Sequence, residues 1–202
     1  MLPDYIFNNF FHDKGQGIMV EVGAAGPEFI SQSKYFRDLG WRCICFEPNP
    51  IFAQMHRDVN NEIYEYACSD YNADDVDFEI VTFVGHGTLT SESFSSLNTQ
   101  VLSYVNDFNS KPKSKIIKVI VKTLDVILEE SQVSEIDYII IDVEGWELNV
   151  LKGFSVNRWN PKVIVLECLG DRSEIDVYMA SIKYRFDCAL VDSGPNLIYV
   201  RE

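Results

Sequence analysis

Short apolar runs alternate with stripes of apolar residues at spacings of three and four along most of the chain, the pattern of strands joined by amphipathic helices. Gly17 to Val22 predicts the first strand. It ends in Glu21-Val22-Gly23-Ala24-Ala25-Gly26, and Pro27 follows where a helix accepts proline at its first position, so a helix is predicted from there towards Leu39, stopping at Gly40. Trp41 to Phe46 predicts a second strand, ended by Glu47-Pro48-Asn49-Pro50, after which Ile51, Phe52, Met55 and Val59 form a helical stripe. Glu62 to Cys68 predicts a third strand.

The alternation then breaks. Val76 to Val84 reads as a strand and Gly85 to Ser96 as a Gly/Ser/Thr-rich loop, so an insertion or lid is expected over about residues 70–115. Ile116 to Lys122 is another strand-like run, Thr123 is placed to cap a helix through Glu130, and Ile136 to Ile141 predicts a strand at the sheet centre, ending at Asp142. Trp146, Val150 and Leu151 continue into a helix closed by Gly153. Val163 to Cys168 predicts the next strand, and Ile175, Tyr178, Met179 and Ile182 the next helix. Phe186 to Val191 and Asn196 to Val200, joined by Asp192-Ser193-Gly194-Pro195, predict a terminal hairpin. The fold class is therefore α/β, a mainly parallel sheet that finishes antiparallel, unlike the all-parallel dinucleotide fold.

Composition narrows the class of partner. The 202 residues are 47% hydrophobic and 24% charged, which predicts one ordinary globular domain over residues 1–202. Against 17 Lys and Arg stand 31 Asp and Glu, a net charge of -14 that repels phosphate backbones and anionic headgroups. Nucleic acid and membrane insertion are not expected. Five cysteines, an odd number without a C-x-x-C, read as reduced core residues, with Cys43 and Cys45 on one strand face. With no signal-like start and no apolar run of roughly 18 residues, a cytoplasmic protein is expected.

Ligands of open α/β sheets bind beyond the carboxyl ends of the strands, where this chain places Glu21 to Gly26, Glu47, Cys68-Ser69-Asp70 and Asp142-Val143-Glu144. Gly23 and Gly26 would let a ligand approach the backbone, and Glu47 could accept both hydroxyls of a ribose. Glycines after a strand also make ordinary tight turns. A pyrophosphate is ill matched to a loop that holds only Gly23-x-x-Gly26 between Glu21 and Glu28. S-adenosyl-L-methionine, with a sulfonium, an ammonium and no phosphate, is well matched. The expected cofactor residues are Glu21, Gly23, Ala24, Gly26, Glu47, Pro48, Asn49, Cys68, Ser69 and Asp142.

The segment Ile139 to Gly153, with Ile141-Asp142-Val143-Glu144-Gly145 at its head, resembles the I-D-V-E-G-x-E-x-x-V-L-x-G signature of the FkbM-type S-adenosylmethionine-dependent methyltransferases. Supporting matches are Glu21-Val22-Gly23-Ala24-Ala25, the block from Gly40-Trp41 to Glu47-Pro48-Asn49-Pro50, Cys68-Ser69-Asp70, Ser95-Ser96-Leu97, Thr123-Leu124-Asp125 and Val165-Leu166-Glu167. Glu21, where many members have Asp, and Pro27, where many have a second loop glycine, depart from the pattern. The resemblance spans roughly residues 17 to 170. It implies a Rossmann-like class I methyltransferase fold, a seven-stranded sheet with a β-rich insertion between the third and fourth main strands, and O-methyl transfer to a hydroxyl.

For the proton of that hydroxyl the first candidates are Asp142 and Glu144, which two residues apart on an extended chain can point the same way. Each also has a plain structural reading, as a helix cap or an amide partner. His86, in the insertion, is the next candidate, since histidine titrates near neutrality. His56 and His12 read as structural or neutral. Asp142, Glu144 and Glu167 could hold a hard divalent ion such as Mg²⁺, but their spacing is not a metal motif and no metal is assigned. Thr88, the hydroxyls of Ser91 to Ser96, and the rings of Tyr71 and Phe94 match a sugar, so the expected acceptor is a sugar hydroxyl, including one within a glycan. Fusion to or association with glycan-assembling domains is then expected. The alternatives are a polyketide or other small-molecule hydroxyl, a catalytically silent cofactor-binding module, and, least favoured, an NAD-dependent oxidoreductase.

Overall fold

The computed structural model describes residues 1–28, 31–82, 96–97, 113–168, 170–191 and 194–202. Helix α1 (Leu2–Ile6) leads into a single π-helical turn (Phe7–Phe11) and strand β1 (Ile18–Val22). There follow α2 (Ser33–Asp38), β2 (Arg42–Phe46), α3 (Pro50–Asp58), β3 (Glu62–Tyr64), β4 (Ala67–Cys68), β5 (Ala73–Thr82) and β6 (Lys113–Lys122). The remaining elements are α4 (Leu124–Glu130), β7 (Tyr138–Ile141), α5 (Glu147–Lys152), α6 (Val156–Trp159), β8 (Val163–Glu167), α7 (Ser173–Ser181), β9 (Tyr184–Val191) and β10 (Pro195–Arg201). Among the described residues, no helix is long and apolar enough to cross a membrane.

Seven strands form one sheet in the order β3-β2-β1-β7-β8-β10-β9. The first five are parallel, and β10 runs antiparallel to both β8 and β9. Strands β7 and β8 are buried at every position, which is why they read as unbroken apolar runs: helices cover both faces. On one face Val20, Ile44, Ile139, Ile164 and Leu166 meet Leu124, Ile127, Val150, Leu151, Trp159 and Met179. On the other, Met19, Cys43, Tyr138, Ile140 and Val165 meet Leu2, Ile6, Phe11, Phe36 and Trp41. The sheet order reverses between β1 and β7, and the crevice at their carboxyl ends is where an open α/β sheet takes a ligand.

Several features differ from the sequence expectation. Helix α2 begins at Ser33 rather than at Pro27, because the Glu21 carboxylate accepts the Gln32 and Ser33 amides at 2.8 and 3.0 Å and sets the helix start from β1. The run Glu62 to Cys68 is two strands. Glu62–Tyr64 pairs with β2, whereas Ala67–Cys68 pairs with Val121–Lys122 of β6 in a second sheet, ordered β4-β6-β5. Thr123 makes no side-chain cap to α4, and its amide donates instead to Asn72 Oδ1 at 2.9 Å. All five cysteines are free, but only Cys43, Cys45 and Cys68 are buried, and Cys168 and Cys188 are half-buried.

Candidate functional site

The first wall of the crevice is the turn after β1. The amides of Gly23 and Ala24 both donate to Phe46 O, at 2.9 and 3.0 Å, which folds the turn over the end of β2. Gly23 has φ +83°, and a Cβ there would lie 1.8 Å from Asp142 O, so the ends of β1 and β7 approach to a distance only glycine allows. Gly26 is different, since a Cβ there would meet nothing within 4 Å. Ala25 is held in the left-handed region at φ 44° by contacts at both its polar groups. Its amide donates to Glu47 Oε2 at 2.9 Å, and its carbonyl accepts from His56 Nε2 at 3.0 Å.

His56 is therefore part of the site's frame. It is buried on α3, and its Nδ1 faces Asn61 Nδ2 at 3.1 Å, so the amide donates to Nδ1 and the proton sits on Nε2, where it bonds Ala25 O. Burial lowers its pKa and keeps the ring neutral, as that donor and acceptor pattern requires. The nearest sequence signal was its place in the helix after Asn49-Pro50. His56→Ala should leave the Ala25 carbonyl unpaired and lower stability by about 1–3 kcal/mol, read by urea unfolding. An unchanged midpoint would remove His56 from the frame.

Glu47, at the end of β2, is buried, with Oε1 accepting the Asn49 amide at 2.7 Å and Oε2 the Ala25 amide. Burial pushes its carboxyl up to about 7. Asn49 caps α3 by accepting from Ile51 N at 3.0 Å, and Pro48 is half-buried beside it. Glu21 lies deeper, both oxygens committed to the start of α2, with burial raising its pKa. Cys68 packs into the main core, and Ser69 Oγ accepts from Trp146 Nε1 at 3.0 Å and lies 3.1 Å from Asp70 Oδ1, to which it donates.

The second wall is the turn after β7. The Asp142 amide donates to Val22 O at 3.0 Å. The chain then turns sharply, Glu144 and Gly145 both being left-handed at φ 56° and 89°. Glu147 organises this turn: its Oε1 accepts the amides of Val143 and Gly145 at 3.1 and 3.0 Å. From the other side Ser96 Oγ donates to Val143 O at 2.9 Å, while the Ser96 backbone bridges Glu79 of β5.

Asp142 and Glu144 do converge, through this turn and not along an extended strand. With Glu167 they place one carboxylate oxygen each within 4.8 Å of one another. Burial, then the Glu167 charge, drives the Asp142 carboxyl well above the ordinary range. Burial and the neighbouring Asp142 push Glu144 up to about 9, and burial and Glu144 push Glu167 up to about 7. His86, Thr88, Ser91 to Ser95 and Phe94 lie outside the described residues, and Tyr71 is exposed.

The crevice thus carries a glycine turn, a buried acid at the second strand end and an acidic cluster at the fourth and fifth main strand ends. The family model for the methyltransferase FkbM domain matches residues 21–186. The chain belongs to this family. As an FkbM domain it is a methyltransferase, and both walls of the crevice lie within the matched span. No curated protein matches the chain.

Proposed function

We propose that this FkbM domain is an S-adenosyl-L-methionine-dependent O-methyltransferase acting on a sugar hydroxyl, including one within a glycan. The observation that carries the reading is Glu47, whose carboxyl is joined to the glycine turn through the Ala25 amide and to the end of β2 through the Asn49 amide. A buried carboxyl at that turn is a poor neighbour for a pyrophosphate and a good one for a sulfonium and an ammonium. Glu47, already aligned by two backbone amides, retains lone pairs for the two hydroxyls of a ribose. Ala24 and Gly26 in the turn after β1, Pro48 and Asn49 after β2, and Cys68 and Ser69 at the end of β4 would frame the rest of the nucleoside.

When bound, the cofactor supplies an activated methyl group and a sulfur leaving group. The chain's task is then to hold an acceptor in line and remove its proton. Glu144 is the base in this reading. Its raised pKa keeps it protonated while only carboxylates surround it, and a positive charge brought beside it favours the ionised form. Glu144 would take the proton of the acceptor hydroxyl, held in line with the methyl group that the cofactor would supply. Asp142 and Glu167 complete the acidic surface that receives the acceptor. Ser96 donates to the carbonyl of Val143 beside the acidic cluster, which supports a contribution of the insertion to the substrate site.

Calorimetric titration of S-adenosylhomocysteine, with NADH as control, tests the cofactor. Saturable micromolar binding is expected, weakened roughly 10- to 150-fold in Glu47→Ala, the effect of losing hydrogen bonds to a buried carboxylate. Binding of NADH alone would overturn the reading. Labelled methyl transfer across sugars and polyketide alcohols then decides the acceptor class.

A further inference from the structure

We propose that Asp142, Glu144 and Glu167 form a binding site for one hard divalent cation of the Mg²⁺ class. Asp142 and Glu144 lie in the turn after β7 and Glu167 ends β8, two parallel strands paired from Tyr138↔Val163 to Ile141↔Leu166. Two oxygens bound to one cation at 2.0–2.6 Å lie roughly 3 to 5 Å apart. The three carboxylate oxygens, within 4.8 Å of one another, fall inside that span.

An acidic cluster alone would not be a site, and Glu167 supplies the second observation. It is 9% exposed, and its Oε2 is sealed from solvent without a hydrogen-bond partner. Oε1 is closed in by Gly194, where a Cβ would fall 2.0 Å away. The groups acting on Glu167 are Asp142, which shares a hydrogen bond with it, Glu144 and Glu147, and none of them is a cation. Oε2 still has no partner, and one cation shared by the three carboxylates would supply it. The donor set is all oxygen, with no imidazole or thiolate in the cluster, which selects Mg²⁺, Mn²⁺ or Ca²⁺ over zinc or copper. Three protein oxygens leave coordination positions for water or for two neighbouring hydroxyls of a sugar. That use in methyl transfer rests on the proposed function, whereas the site itself does not.

Manganese alone is the probe, followed by electron paramagnetic resonance on the full chain at pH 7.5, without cofactor or acceptor. One Mn²⁺ per chain is expected, displaced by Mg²⁺ and weakened at least 10-fold in Glu167→Gln and in Glu144→Gln. Glu144 is half-buried, so the second variant serves if the first does not fold. Exposed Glu174→Gln, on α7, should bind like the unaltered protein. No saturable binding, or binding unchanged in both cluster variants, overturns the site. Calorimetry with S-adenosylhomocysteine in chelator, run beside it, separates the two readings, since cofactor binding with no manganese binding rejects the cation site and leaves the methyltransferase reading standing.

Discussion

Gly23→Ala should destabilise the protein by about 4 kcal/mol or more, lowering the melting temperature by roughly 8–16 °C for a chain of this size. Two costs combine. An alanine at φ +83° meets the steric penalty of the left-handed region, of order 1–2 kcal/mol. Its Cβ would also stand 1.8 Å from Asp142 O, and that carbonyl cannot swing aside because the Asp142 amide is bonded to Val22 O in the same ladder. Relief requires β1 and β7, the two strands at the middle of the sheet, to part. Gly26→Ala is the matched control, three residues on and in open space, and should change stability by no more than about 0.5 kcal/mol. Urea unfolding of the two variants decides the matter. Equal midpoints would mean that the close approach of β1 to β7 does not exist in solution.

In a chelating buffer the protein should lose stability as pH rises from 6.5 to 9, by on the order of 3 kcal/mol and roughly 5–10 °C in melting temperature. Burial raises Glu47 and Glu167 from 4.5 to about 7 and Glu144 to about 9. A carboxyl whose folded pKa exceeds its unfolded one contributes stability that is fully present below 4.5 and is lost as pH rises through the folded value. Glu144 therefore dominates above neutrality, with the tails of Glu47 and Glu167 added near 7. His56 acts in the opposite sense, because burial lowers its pKa, so its contribution is intact above 6.5 and declines only as pH falls below that. Asp171 and Asp176, lowered by hydrogen bonds, matter only below 3.8. A melting temperature that is level or rising between pH 6.5 and 9 would show that the three carboxyls are not held protonated.

What could be read in advance was what local pattern controls. Tyr138 to Ile141 and Val163 to Leu166 announce themselves because strands covered on both faces need apolar residues at every position. Glu47 was expected directly after the second strand, and there it accepts the Ala25 and Asn49 amides. The rest depended on partners distant in sequence. The start of α2 is fixed by Glu21 across the turn, and the break between Tyr64 and Ala67 is fixed by where β6 lies. His56 read as structural or neutral, and it is structural, but its partners, Ala25 O and Asn61, are brought together only by the fold. Helix α1 carried a readable pattern, with Leu2 and Ile6 one turn apart and Phe11 beyond, but five residues are too few to distinguish from a loop without the aromatic cover of Trp41 and Phe36.

The position of β10 bears on how the protein is made. It is the last of the seven sheet strands in sequence yet lies inside the sheet, between β8 and β9, with Leu197 to Val200 buried. During synthesis β8 and β9 emerge with a one-strand gap between them, and neither can satisfy its facing amides until Pro195–Arg201 has left the ribosome. Until then the nascent chain carries an open apolar slot with two exposed strand edges, the geometry that recruits chaperones or a stray strand from another copy.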